Sequence, residues 1–145
     1  MSEPILLAQL AGRQIAFPAH QIDSIVELGK VTPVPRSPAY IEGLSTLRSK
    51  SLTVINCKSV LGIADDESAP DGIRLAAVVK HGAHHYALIL DDVQDVVEPQ
   101  HEPEPVLGGV GKEWARVASG VVETEVGTTL MMRVEPFIEV EAKLA

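Results

Sequence analysis

Residues 22–62 read IDSIVELGKVTPVPRSPAYIEGLSTLRSKSLTVINCKSVLG, and the fold is decided there. An apolar run through Ile25, Val26 and Leu28 enters a loop punctuated by Pro33, Pro35 and Pro38. Proline lacks an amide donor and holds the residue before it extended, so this loop is predicted to be a stiff, non-helical connector. It delivers Tyr40 to Arg48, where Ile41, Leu44 and Leu47 recur at three-residue spacing. That spacing predicts one or two turns of tight helix, started or interrupted at Gly43. After the polar turn Ser49-Lys50-Ser51, the β-branched run Leu52-Thr53-Val54-Ile55-Asn56 predicts a strand.

Working outward, both flanks read as short strands joined by turns. Ile5–Leu10 and Ile15–Phe17 enclose a turn containing Gly12, the pattern of a β-hairpin, and Pro18 ends it. Residues 20–24 suit a turn of helix before the strand at Ile25. Residues 64–72 form an acidic, turn-rich loop, which is read as a solvated face. Leu75–Val79 and Tyr86–Leu90 flank His81-Gly82-Ala83 as a second hairpin, and their continuous apolar character predicts strands covered on both faces. Valines at 93, 96 and 97 suit either a helical turn or a strand. Pro99 to Pro105 is an extended linker, followed by a glycine loop at 108–111. A third hairpin joins 117–123 to 128–134, and Glu135-Pro136-Phe137 begins a terminal helix with the proline in its first turn, where a missing amide does no harm. Many short strands with turn signals between them indicate small β-barrels rather than a helical or α/β fold.

Composition bounds the function. With 145 residues, 46% of them hydrophobic, the chain can bury a core unaided, and with five aromatic residues that core must be built from Val, Ile, Leu and Ala. A formal charge of -8 excludes nucleic acid and anionic lipid as natural partners, since both bind through dense Lys and Arg, and favours proteins. The single cysteine, Cys57, is assigned to the predicted strand and reads as a small buried hydrophobe. The N-terminus has no basic segment leading into an apolar run, and no apolar run approaches the ~18 residues of a membrane helix, so no membrane insertion and a cytoplasmic location are expected.

Catalytic and metal constellations are missing from the pattern. His81, His84 and His85 invite a metal hypothesis, but successive strand residues face opposite ways and no cysteine or carboxylate flanks them, so a hairpin turn is the better reading. Asp91, Asp92 and Asp95 lack the glycine and terminal glutamate of a calcium loop. No phosphate loop, nucleophile elbow or HExxH is present, and Trp114 is assigned to the core. No enzyme activity, metal or cofactor is therefore expected.

The succession Ile25-Val26-Glu27, Pro35-x-x-Pro38, Ile41-x-Gly43-Leu44-x-x-Leu47-Arg48 and Val54-Ile55, ending at Leu61-Gly62, resembles the CheW-like domain of bacterial chemosensory coupling proteins. That family's hallmark is a proline loop followed by a G-[VI]-x-N-L-R-G segment. The resemblance continues through Leu88-Ile89-Leu90-Asp91-Asp92-Val93-x-Asp95-Val96 and from Ser119-Gly120-Val121 to Phe137. Departures are Thr46 for Asn, Ser49 for Gly, Thr53 for Pro and Asn56-Cys57 for Asp-Leu, and they bear on partner choice more than on fold.

The resemblance implies an all-β fold of two five-stranded SH3- or OB-like barrels sharing a core, with short helical turns and a C-terminal helix. It implies one domain over 1–145, with lobes at roughly 20–65 and 71–126 and terminal segments crossing between them. It further implies a non-catalytic adaptor, at membrane-associated receptor arrays, between the regulatory domain of a CheA-type histidine kinase and the cytoplasmic tip of a methyl-accepting chemoreceptor. The alternative is a divergent adaptor in a non-flagellar two-component pathway with a different kinase or receptor. In the family the receptor lies in the groove between the lobes, and the matching positions are Ile25, Gly43, Leu44 and Leu47. Gly43 can serve a positive φ, close packing within the lobe or a partner's approach, and the last is the expectation. An ion pair between Glu27 and Arg48 is expected to fix the proline loop.

Overall fold

Tight turns and two-sided apolar strands build the molecule, and the computed structural model describes residues 3–36, 38, 40–63, 74–106 and 111–138. β1 (Ile5–Leu10) and β2 (Arg13–Pro18) close around Ala11-Gly12, both at positive φ as a two-residue hairpin turn favours. A 3-10 turn at Ala19–Gln21 leads into β3 (Ser24–Leu28). β4 (Ile41–Leu47) and β5 (Lys50–Asn56) form the next hairpin, followed by the single-turn helix α1 (Cys57–Val60). Then come β6 (Arg74–His81), β7 (His84–Leu90), β8 (Asp92–Val97), α2 (Lys112–Val117), β9 (Ala118–Thr124) and β10 (Gly127–Met132), with a helical turn over 135–138.

The strands make two five-stranded sheets, ordered β3-β6-β7-β5-β4 and β8-β1-β2-β10-β9. Each curls until its edges meet through the segment after its first strand: Thr32 bridges Leu44 in the first lobe and Glu104 bridges Val121 in the second. Alternation then yields three cores. Leu52, Val54, Ala76, Val78 and Ala87 fill the first barrel, and Ile5, Leu7, Ala16, Val122 and Met131 fill the second. Their sequence neighbours Ile55, Ala77, Val79, Leu88, Ala8, Ile15, Phe17, Leu130 and Met132 face the other way, into the core between the lobes. This is why the strands read as continuous apolar runs. Each fully buried Val, Leu, Ile or Phe contributes about 1.5–3 kcal/mol, and Phe17 meets Phe137 edge-on at 6.3 Å within the shared core.

Three expectations are corrected. Residues 41–47 are a strand, not a helical turn: burial alternates from Gly43 to Leu47, and a bulge between Ile41 and Gly43 produces the three-residue spacing of Ile41 and Leu44. Cys57 begins α1 instead of ending a strand, although it is fully buried. The lobes do not divide at 65–71, because β6 and β7 lie between β3 and β5 in the first sheet, while β1 and β2 complete the second. The open choice at 93–97 resolves to strand, and α2 carries Trp114 and Val117 into the shared core. The acidic loop at 64–72, most of the glycine loop at 108–111 and the chain beyond 138 lie outside the described residues.

Candidate docking site

The proline loop is clasped onto β4 by main-chain bonds. Thr32 N–H donates to the Leu44 carbonyl at 2.8 Å and Leu44 N–H donates to the Thr32 carbonyl at 2.9 Å. Between them the loop crosses directly over Gly43, where a Cβ would stand 2.2 Å from the Thr32 carbonyl oxygen, 2.7 Å from its carbon and 3.0 Å from Pro33 Cα. Gly43 also has φ +149, a conformation side chains rarely adopt. Its missing side chain is thus accounted for by the chain's own loop, and Gly43 is buried. The expectation that Gly43 opens space for a partner is replaced by a role in seating the loop.

Of the other expected positions, Ile25 and Leu44 belong to one face and Leu47 does not. Ile25 is in register with Ala77, so the two side chains share a side of the sheet. Ala77 lies in the inter-lobe core, whereas Ile25 is 38% exposed. Leu44 pairs with Thr53, and Thr53 with Tyr86, another inter-lobe core residue; Leu44 itself is 44% exposed. Both therefore continue the inter-lobe apolar surface outward onto the edge strands of the first lobe, where solvent reaches it. Val34 of the proline loop is exposed as well. Leu47 points the other way, against the core of the first barrel.

The expected ion pair is not formed: among the described residues no ion pair joins Glu27 and Arg48. Arg48 sits in the β4–β5 turn beside Ser24, both lining a cavity of about 270 Å³ at the end of the barrel with Asp23, Lys50 and His85 over a floor of Leu47, Leu52 and Val78. Glu27 lies three residues further along β3, ~10 Å at strand rise, and in register with Leu75.

Polar residues that sequence reasoning assigned no role hold the lobes in place. Asp91 accepts the Ala11 N–H at 2.8 Å through one oxygen and meets Lys58 Nζ at 3.1 Å through the other, tying the β1–β2 turn of the second lobe to α1 behind the first. Asn56 Oδ1 accepts from Ser59 N–H at 3.1 Å, capping α1, while its Nδ2 donates to Glu42, which pairs with Arg74 at 3.4 Å. A cap signal of this kind, Asn three residues before the capped amide, is visible in a sequence once a helix is suspected there. Arg13 stacks over Trp114 at 4.8 Å, and Arg116 donates to the Val60 carbonyl at 2.9 Å, bringing α2 against α1. Burial, and then the nearby Asp91 charge, push the Cys57 thiol well above the ordinary range. Asn56 and Cys57 are interior, whereas exposed Thr46, on the Leu44 side of β4, and half-buried Thr53, the register partner of Leu44, lie on the candidate face.

His81 and His84 face each other across the β6–β7 hairpin, and among the described residues no three His, Cys, Asp or Glu side chains converge as a metal site. Nor is any described helix long and apolar enough to cross a membrane.

Comparison with known proteins adds four findings. The CheW-like domain family model matches residues 4–141. The chain is 25% identical over 135 residues to the chemotaxis protein CheW of Thermotoga maritima, covering 93% of this chain and 87% of that one. It is 26% identical over 99 residues to CheW of Treponema pallidum, covering 64% and 58%. Among solved structures, the scaffolding protein TtCheW of Thermoanaerobacter tengcongensis superposes with a TM-score of 0.77 at 23% identity, covering 92% of this chain and 86% of that one, a likeness of fold.

Proposed function

The chain belongs to the CheW-like domain family, and from that premise we propose that it is a non-catalytic adaptor coupling a chemoreceptor to a CheA-type histidine kinase. The family match across 4–141 carries this reading, and the two-lobed fold supports it by offering separate surfaces on one rigid body. The receptor's cytoplasmic tip, a helical hairpin, lays an apolar ridge on the face made by Ile25 and Leu44. A helix needs an apolar floor to seat on, and these side chains supply one that the fold itself leaves open. Gly43 acts on this site at one remove: it lets the proline loop lie flat on β4, and so fixes Leu44 and the exposed Val34. The kinase regulatory domain takes a second surface, and the protein works at membrane-associated receptor arrays.

Each contact is expected to be weak, with a dissociation constant on the order of micromolar or ~8 kcal/mol. Repetition in an array then supplies persistence without new contacts. The test is titration of a receptor-tip fragment onto the wild type and onto Ile25→Glu and Leu44→Glu. Both variants should lose about tenfold or more in receptor affinity while keeping kinase affinity. Unchanged receptor affinity in both would move the receptor off this face.

A further inference from the structure

His84 and His85 face apart, as successive strand residues must, but His81 and His84 do not. These two close the β6–β7 hairpin as directly opposed residues, followed inward by the pairs Lys80↔His85 and Val79↔Tyr86. Opposed residues share a side of the sheet, with Cβ atoms about 4.5–5.5 Å apart. Alternation says which side: Val79 and Tyr86, two places inward from His81 and His84, lie in the inter-lobe core. His85 belongs to the other side, where it lines the cavity at the barrel end. His81 and His84 are thus the last rung of the inter-lobe side, and unlike the rung beneath them both are exposed.

The hairpin holds this pair in place. Gly82, first of the two turn residues, has φ +64, as a type II′ turn requires, and the twist of that turn matches the flanking strands. Seven antiparallel pairs run from Leu75↔Leu90 to His81↔His84 without a shift, so the backbone beneath both imidazoles is fixed and only their side-chain torsions remain to be set. Among the described residues neither imidazole is engaged in an ion pair. His81 opens on a cleft of about 320 Å³ between the lobes, lined also by the exposed carboxylates Asp23 and Glu135. Lys80 lines it as well but springs from the opposite side of β6. With a chain charge of -8, these surroundings draw cations.

We propose that His81 and His84 chelate one divalent transition-metal ion per chain, of the class of Zn²⁺, Ni²⁺ and Cu²⁺. Imidazole nitrogen suits these ions, whereas Mg²⁺ and Ca²⁺ take oxygen. Metal–nitrogen bonds of about 2.0–2.1 Å set two ligand nitrogens about 3 Å apart, a span that rings hung from opposed Cβ atoms reach by rotation alone. Water fills the remaining positions, so the ion sits in an open site with two protein ligands rather than in a closed structural one. Its effect on the chain is a cross-link between β6 and β7 at the turn. The site involves neither receptor nor kinase, and the adaptor reading stands or falls separately.

Calorimetric titration of the intact, untagged protein tests it, with Zn²⁺, Ni²⁺, Cu²⁺ and Mg²⁺ salts at about pH 8, where imidazole is ordinarily neutral. The wild type should take up one Ni²⁺ or Zn²⁺ per chain, bind Cu²⁺ more tightly than either, and give no heat with Mg²⁺. His81→Ala and His84→Ala should each weaken Ni²⁺ binding about tenfold or more, while His85→Ala, adjacent in sequence but on the opposite side, should change it by less than about twofold. Ni²⁺ should also raise the thermal midpoint of the wild type and of His85→Ala, and leave those of His81→Ala and His84→Ala where they were. Absence of Ni²⁺ and Zn²⁺ binding to the wild type at about 1 mM metal would overturn the proposal. Ni²⁺ binding at wild-type strength in either His81→Ala or His84→Ala would overturn it too, as would an equal loss in His85→Ala.

Discussion

Replacing Gly43 by alanine is the sharpest perturbation of the site, because the structure says what the added carbon meets. It would lie 2.2 Å from the Thr32 carbonyl oxygen and 3.0 Å from Pro33 Cα, both main-chain atoms that cannot swing aside, at a φ of +149. Holding an alanine there costs about 1–3 kcal/mol of backbone strain. If the loop lifts, the two Thr32–Leu44 hydrogen bonds go, at about 0.5–1.5 kcal/mol each. Because the φ of +149 stays strained even when the loop lifts, the two losses add to about 2–6 kcal/mol out of the ~5–15 kcal/mol typical of a domain, or roughly 3–5 °C of Tm per kcal/mol at this chain length. Urea and thermal denaturation followed by circular dichroism measure it, with Gly12→Ala as control. Gly12 has φ +76 but nothing within 4 Å, so its variant should lose only the ~1 kcal/mol of conformational cost. Gly43→Ala unfolding at the wild-type midpoint, with receptor-tip binding abolished, would refute this reasoning and return Gly43 to direct partner contact.

Further outcomes follow from the same structure. Asn56→Ala should cost about 1–2 kcal/mol in denaturant titrations, because the cap on Ser59 N–H and the bond to Glu42 both go. Asp91→Ala should cost about 1–2 kcal/mol by losing the Ala11 bond and the half-exposed Lys58 pair, and amide exchange at Ala11 should quicken. Cys57 should resist thiol reagents until the protein unfolds, and its raised pKa has a definite sign: the stabilisation is fully present below the unfolded thiol's pKa near 8.5 and falls as pH rises above it, by up to ~1.4 kcal/mol per pH unit. Denaturation midpoints of the wild type and Cys57→Ser across pH 8–10 should therefore converge as pH rises.

The strands and hairpins were legible because turn residues and β-branched runs act locally. Val78 and Val79, side by side in sequence, face different cores, and an unbroken apolar run signals that two-sided burial directly. Residues 41–47 misled because a bulge and an outward-facing Leu44 imitate helical spacing, and only the pairing with β5 removes the ambiguity. The exchange of strands between lobes is set by long-range pairings such as Ala16 with Met131, which leave no local trace. At the site, Ile25 and Leu44 are proposed from family resemblance, and their exposure is the physical observation that supports the proposal. The Glu27–Arg48 pair failed because sharing a loop does not fix which ends of two strands meet. Asp91 carried no signal, since a carboxylate at a strand end looks solvated until the neighbouring turn and α1 are in place.

The bridging claim is tested most directly by assembling the three components. Receptor-tip fragment and kinase regulatory domain are mixed with this protein near their ~10 µM binding range, and the species are resolved by sedimentation velocity. Two separate surfaces predict a ternary species heavier than either binary complex, one that loses only the receptor when Leu44→Glu replaces the wild type. Mutual displacement, with receptor tip releasing kinase in proportion and no ternary species at any ratio, would contradict the adaptor account.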